Sequence, residues 1–317
     1  MTEVLYIVVP CYNEEEVLPE TARRLRSKLE ALISAGRISP RSRILFVNDG
    51  SRDQTWQIIS ELHEGCSLFS GVTLSRNRGH QNALLAGLMT AKELADVTIS
   101  MDADLQDDID AVDAMLEKRA EGADIVYGVR SKRKKDSFFK RFTAQSFYKL
   151  MRALGADTVY NHADYRLMSR RALDGLAEFD EVNLFLRGIV PMIGYKTDVV
   201  YYEREERFAG ESKYPLKKML AFAWEGITSL SSKPIKLITA LGVLGAFLSL
   251  LLALIFGIVA LTGKEVWPGL WILLSVWFVG GCVLTALGVV GEYVGKIYLE
   301  TKRRPRYIIA GVLDCDE

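Results

Sequence analysis

The sequence is poor in cysteine and histidine, and it carries no net charge. Its four cysteines, Cys11, Cys66, Cys282 and Cys315, never fall at C-x-x-C spacing, and no His/Cys cluster accompanies them. That argues against a zinc site or a redox motif and leaves free thiols in a reducing compartment. Forty basic side chains balance forty acidic ones, so a general nucleic-acid binder, with its basic excess, is excluded. A secretory signal is missing too. Residues 4–9 are apolar but too short for an h-region, lack a basic n-region and run into Pro10. They are expected to form a buried first strand, with the N-terminal part in the cytosol. With 25% charged and 49% hydrophobic residues, the chain is not disordered. Its 317 residues are the length of about two domains.

What is present is unevenly spread. Residues 237–262 and 266–291 hold no charged side chain. At about 1.5 Å rise per residue, either run would cross a hydrocarbon core of roughly 30 Å. Lys264-Glu265 and Pro268-Gly269 separate them, which reads as a tight hairpin between two transmembrane helices, 235–262 and 266–292. Lys233 and Lys236 precede the pair, and Lys296, Lys302, Arg303, Arg304 and Arg306 follow it. By the positive-inside rule both chain ends lie in the cytoplasm. Trp267 and Trp271 suit an interfacial belt on the outer side. Residues 131–152 interleave Lys and Arg with Phe and Tyr, as a helix lying on an anionic bilayer does. Residues 214–234 are a second interfacial candidate, leading into the first span, and 293–317 read as a cytosolic tail.

Residues 1–213 read as the catalytic domain. Strands are expected over 5–9, 43–47, 72–75, 97–101, 125–129 and 198–203, and helices over 14–33, 54–64, 79–94 and 111–121. Such alternation implies a Rossmann-like, mostly parallel α/β sheet with helices on both faces. Ligands bind at the carboxyl ends of its strands, and three polar motifs sit there. Asp102-Ala103-Asp104-Leu105-Gln106-Asp107 follows the strand at 97–101. Alternation along an extended segment places Asp102 and Asp104 on one face. Two carboxylates meeting there repel unless a cation lies between, and oxygen ligands suit Mg²⁺ or Mn²⁺. Pro10-Cys11-Tyr12-Asn13-Glu14 closes the first strand. Tyr12 is placed to flank a base, while Asn13 or Glu14 equally fit simple helix capping. Asn48-Asp49-Gly50-Ser51 closes the second strand. Asp49 there either accepts a base N–H or serves an ordinary turn.

In this order the motifs resemble the inverting family 2 glycosyltransferases of the GT-A fold. More narrowly they resemble the polyprenyl-phosphate glycosyltransferases, namely dolichyl-phosphate mannose synthases and bactoprenol glucosyltransferases of the GtrB type. Residues 74–81 (LSRNRGHQ), 164–168 (DYRLM), 207–214 (RFAGESKY) and 288–293 (GVVGEY) extend the likeness over nearly the whole chain. Three departures stand out. Asp108-Ile109 replace two prolines, Arg78 replaces a Phe, and Ala163 and Tyr165 flank Asp164 where Gly and Phe are usual. Arg78 and Tyr165 are therefore expected to alter how the sugar is held.

The resemblance implies a set of roles. Pro10, Tyr12, Glu14 and Asp49 would hold the nucleoside, and Asp102, Asp104 and Gln106 the metal and pyrophosphate. Arg130 and Arg141 would hold an acceptor phosphate, for which the planar guanidinium is suited. Arg207, Ser212 and Lys213 would close over the donor phosphates. Asp164 would be the general base. Its duty is open to a chemical objection, because a phosphate monoester has a second pKa near 6 and is largely ionised at neutral pH. Asp164 is accordingly expected mainly to orient Arg166 or the sugar. The implied activity is transfer of a hexose, glucose from UDP-glucose foremost, to undecaprenyl or another polyprenyl phosphate, for cell-envelope glycans. The implied place is the bacterial cytoplasmic membrane. GDP-mannose or an aminoarabinose donor are alternatives, as is a non-catalytic membrane scaffold or nucleotide sensor. A processive polysaccharide synthase would need more spans and a Gln-x-x-Arg-Trp motif. Lateral association, into a tetramer for instance, is compatible with two spans per chain.

Overall fold

The computed structural model describes residues 2–130, 162–182, 184–203, 251 and 268–313. A sheet of eight strands forms its centre. In chain order the elements are β1 (Leu5–Cys11), α1 (Leu18–Ser34), β2 (Arg43–Asn48), α2 (Thr55–Gly65), β3 (Phe69–Leu74), α3 (His80–Lys92) and β4 (Val97–Ser100). Then come α4 (Ala111–Ala120), β5 (Ile125–Arg130), β6 (His162–Ser169), α5 (Arg170–Ala177), α6 (Leu186–Met192), β7 (Thr197–Tyr202), α7 (Pro268–Lys302) and β8 (Ile309–Leu313).

The strands lie in the order β7-β5-β6-β4-β1-β2-β3-β8. Four of the seven pairings are parallel. β6 runs antiparallel between β4 and β5, and β8 antiparallel beside β3. β1 is buried at all seven positions, as a strand covered on both faces must be. Leu5, Ile7 and Val9 face α1, α2 and α4, while Val4, Tyr6 and Val8 face α3, α5 and α6. α1 buries Leu18, Ala22, Leu25, Leu29 and Leu32, a stripe of helical period. Each such side chain removed from water contributes about 1.5–3 kcal/mol.

The six expected strands are all present, and two more were not expected. β6 carries Asp164 and Arg166, and β8 lies in what reads as a cytosolic tail. The sheet is thus completed by residues beyond 293, outside the expected catalytic stretch 1–213. The first helix begins at Leu18, not at residue 14 as expected. Val17 N–H and Leu18 N–H both donate to the Glu14 carbonyl in a preceding turn.

One described helix is long and apolar enough to cross a membrane, by length and composition. Its apolar stretch is Phe278–Lys302, of mean hydropathy 1.6, and none of it is buried. The 35 residues of α7 span about 52 Å, and the helix runs ten residues past the span expected to end at 292. Apart from Leu251, the span expected at 235–262 lies outside the described residues, as do 131–152 and 214–234.

Candidate active site

The carboxyl ends of β1, β2, β4 and β5 open on one edge of the sheet. β6 brings Asp164 to the same edge from the other direction, because Arg166 pairs with Ser100 and Asp164 lies two residues beyond it. Ser100 Oγ donates to the Asp164 carbonyl at 2.5 Å, which fixes the backbone of β6 at that end.

β4 stops at Ser100, so the acidic motif is a turn and not the extended segment expected. Leu105 takes the left-handed φ of 57°. Burial nonetheless alternates. Met101, Ala103 and Leu105 are buried, whereas Asp102 and Asp104 are half-exposed. The apolar side chains anchor the turn and leave the two carboxylates partly buried but still accessible. Gln106, expected as a third ligand, is itself buried, and its backbone N–H donates to Asp104 Oδ1 at 3.2 Å. Burial and the neighbouring carboxylates of Asp107, Asp164 and Asp104, opposed by His80, push Asp102 up to about 6. A site that crowds carboxylates in this way fits a divalent cation. Among the described residues no group of three or more His, Cys, Asp or Glu closes around one. Two carboxylates with substrate phosphates and water completing the shell is the arrangement Mg²⁺ commonly takes.

Asp164 is almost enclosed. Arg166 Nη2 donates to its Oδ1 at 2.7 Å, Arg187 Nε to the same oxygen at 3.1 Å, and Arg187 Nη2 to Oδ2 at 3.0 Å. Arg166 is fully buried, while Arg187, from α6, is half-exposed. Burial raises the Asp164 pKa, but the Arg187 and Arg166 guanidiniums outweigh it and hold the carboxyl far below the usual carboxylate range. His80, the first residue of α3, places Nε2 3.4 Å from Asp102 Oδ1 and 3.7 Å from Asp164 Oδ2. It stands between the two carboxylates.

The nucleoside end is built from three loops. Asn13 takes φ 53°; its N–H donates to Ser51 Oγ, and its Oδ1 accepts the Arg52 N–H, both at 3.0 Å. The Glu14 N–H donates to Thr55 Oγ1 at 3.0 Å. These bonds weld the ends of β1 and β2 together. Tyr12 is exposed, Glu14 half-buried and Pro10 buried within β1. Asp49 is buried, and its two oxygens accept the N–H groups of Arg78 at 2.7 Å and Gly79 at 2.9 Å. Its observed contact therefore fastens the loop before α3. Gly50 is required beside it: φ is 61°, and a Cβ there would meet the Arg76 and Asn77 backbone at 2.5 and 2.6 Å.

Arg130 lies at the end of β5, where Nε donates to the Tyr202 hydroxyl at 3.2 Å and Nη2 to Asp107 Oδ1 at 3.4 Å. The Tyr202 hydroxyl donates to the same oxygen at 2.5 Å. Arg141, Arg207, Ser212 and Lys213 lie outside the described residues.

Glycosyl transferase family 2 matches residues 6–176, more than half of the chain. The chain belongs to that family. As a member it is a glycosyltransferase enzyme, of the hexosyltransferase kind. An uncharacterized glycosyltransferase of Bacillus subtilis (strain 168), YkoT, is 52% identical over 308 residues, covering 96% of this chain and 91% of that protein. The bactoprenol glucosyl transferase of Shigella phage SfV is 40% identical over 312 residues, covering 96% and 97%. Among solved structures, mannosyl-3-phosphoglycerate synthase from Rubrobacter xylanophilus has a TM-score of 0.47 at 14% identity, covering 70% and 71%.

Two departures from the family pattern acquire a structural reason in this glycosyltransferase. Tyr165 is fully buried and its hydroxyl donates to the Asp108 carbonyl at 2.9 Å. The Tyr in place of Phe thus meets the backbone of the Asp in place of Pro. Arg78 Nη2 reaches the Pro305 carbonyl at 3.5 Å. Three side chains of the glycosyltransferase's site were given no role from sequence: His80, Asp107 and Arg187. His80 and Asp107 lay inside quoted motifs, but nothing local marks Arg187, whose partner is 23 residues away.

Proposed function

We propose that this glycosyltransferase moves a hexose, glucose from UDP-glucose foremost, onto the phosphate of a polyprenyl lipid with inversion at the anomeric carbon. The observation that carries the reading is the state of Asp164. A carboxylate clamped by two guanidiniums is a poor proton acceptor. Such a site suits a nucleophile that arrives ionised. A phosphate monoester, with its second pKa near 6, does so at neutral pH, whereas a sugar hydroxyl does not. The phosphate oxygen attacks the anomeric carbon, the bond from that carbon to the nucleoside diphosphate breaks, and the leaving group departs with the electron pair. No proton need be removed.

In this reading Tyr12 and Glu14 flank the nucleoside, and Asp49 acts chiefly by holding the loop that lies against it. Asp102 and Asp104 hold Mg²⁺ or Mn²⁺, with Gln106 steadying Asp104. When bound, the ion supplies positive charge to the leaving diphosphate. Arg130 and Arg141 take the acceptor phosphate, and Arg207, Ser212 and Lys213 close over the donor. Two spans, with both chain ends in the cytosol of a bacterium, keep the domain at the inner-membrane surface. There the lipid phosphate reaches the site without leaving the bilayer, and confinement supplies part of the rate. The 40% identity to bactoprenol glucosyl transferases over nearly the full length supports both acceptor and sugar.

The test is a transfer assay on purified protein in detergent with undecaprenyl phosphate and Mg²⁺, offering UDP-glucose, UDP-galactose, UDP-GlcNAc and GDP-mannose in parallel. Lipid-linked glucose, lost with EDTA and in Asp104→Ala, is expected. Transfer from GDP-mannose alone would replace the sugar, and no transfer from any donor with nucleotide still bound would sink the reading.

A further inference from the structure

Among the described residues, the chain leaves the sheet at the end of β7 and rejoins it at β8, after α7. Its return is fastened at several points. β8 pairs antiparallel with β3 from Gly71 to Leu74. The Ser75 N–H donates to the Ile308 carbonyl at 2.9 Å. Glu300, in the last turn of α7, accepts the Val182 N–H at 2.9 Å. Arg306 Nη1 donates to the Phe179 carbonyl at 2.9 Å. Between them Arg303, at φ 46°, ends the helix and turns the chain.

The position of Glu300 is unfavourable for the helix alone, because a carboxylate in the last turn opposes the macrodipole. Its bond to Val182 supplies a reason for it. The fastened segments are the backs of two active-site loops. One, residues 75–79, ends at His80. The other leads from Phe179 into α6, whose second residue is Arg187. The two are joined to each other, since the Leu186 N–H donates to Gln81 Oε1 at 2.8 Å.

We infer that residues 300–309 form a strap that positions the catalytic site, with Glu300 and Arg306 as positioning residues acting through the 179–187 loop on Arg187, and so on Asp164. Docking of the end of α7 is then a condition for a competent site. A domain tethered loosely to its membrane helix would reach the lipid phosphate but hold Asp164 less well. Only the turnover arm of the test rests on the proposed transfer reaction.

The experiment uses the full-length protein and the variants Glu300→Ala, Glu300→Gln, Arg187→Ala and the double variant Glu300→Ala/Arg187→Ala. Amide exchange is read over 179–187. In Glu300→Ala it is expected to accelerate about tenfold, as when one hydrogen bond of a local opening is lost. Turnover is expected to fall about 3- to 10-fold, with the UDP dissociation constant within about twofold of wild type, where no strap contact to nucleotide is lost. Glu300→Gln, which keeps an acceptor oxygen, should restore both. The double variant should be no slower than Arg187→Ala, because residues acting through one another are not additive. Wild-type exchange in Glu300→Ala, or losses that multiply in the double variant, would overturn the strap. Failure of the wild type to transfer any sugar would sink the proposed reaction instead, and exchange would still decide the strap.

Discussion

Among single residues, Asp164 carries the most information. Its two oxygens accept three guanidinium N–H groups, and its pKa is depressed. It therefore stays ionised across the working range, and its protonation cannot shape the rate. We expect Asp164→Asn to lower kcat about 10- to 100-fold without reaching background, as loss of a positioning group does. The pH–rate profile should keep its wild-type shape between about pH 5 and 9, because no base is lost. A vanished acid limb in the variant would restore the general-base role. The same substitution strips charge from a buried pair, leaving Arg166 uncompensated, so stability should fall by about 3 kcal/mol in urea titration. Arg187→Lys should be nearly as slow as Arg187→Ala, because an ammonium cannot span both oxygens of a carboxylate as the guanidinium fork does. This measurement separates a clamp from a mere charge. Asp164 was visible in the sequence as part of a motif, and the chemical objection to its role as a base already stood there. Arg187 was not visible, because its importance is created by folding 23 residues of chain back onto β6.

Among the elements, strands buried on both faces were the most legible. The run at residues 5–9 is hydrophobic throughout, as parallel strands of a covered sheet commonly are, whereas that at 97–101 buries Thr98 and Ser100 beside its apolar residues. β6 escaped because it places a charged pair, Asp164 and Arg166, inside the sheet, where a sequence rule expects apolar residues. β8 escaped because it follows a basic stretch after a run expected to span a membrane, and is read as a tail. α3 shows how little periodicity a fully packed helix needs. It buries Ala83, Leu84, Leu85, Ala86, Gly87, Leu88 and Ala91, nearly all round. Gly87 sets its distance from the sheet, since a Cβ there would meet Val47 Cγ2 and Val8 Cγ1 at 2.5 Å each. Alanine is the better helix former by about 1 kcal/mol, yet Gly87→Ala should destabilise the protein by about 1–3 kcal/mol through overpacking. Because His80 opens the same helix, turnover should fall with it. Equilibrium unfolding and a rate on one preparation check both; a stabilised variant would show that α3 can lift without cost.

On the scale of the whole molecule, the polypeptide closes on itself through its long apolar helix. α7 exposes Ile272, Val276, Phe278, Val279, Val283 and Leu287 along its length. A surface of that size calls for lipid or a partner rather than water. The sheet that carries the site needs what comes after this helix, because β8 covers the edge of β3 and packs Leu313 toward Gly71 and the core. A chain ended at residue 213 would therefore expose β3 as an unpaired edge, with its N–H and C=O row open to solvent and to other chains. Its melting temperature should lie several degrees below that of the full-length protein in detergent, at about 2–8 °C per kcal/mol lost, and it should aggregate on heating. A peptide covering residues 303–317, added in excess, should raise the midpoint in proportion to the logarithm of its concentration once above its dissociation constant, since it binds only the folded form. Equal melting of the short and full-length chains, with no response to peptide, would mean that β8 rests on a sheet already complete. A rescued midpoint with turnover still low would separate two jobs of one segment. The strand would then serve stability, and its covalent continuity with α7 would set the loops that hold Asp164.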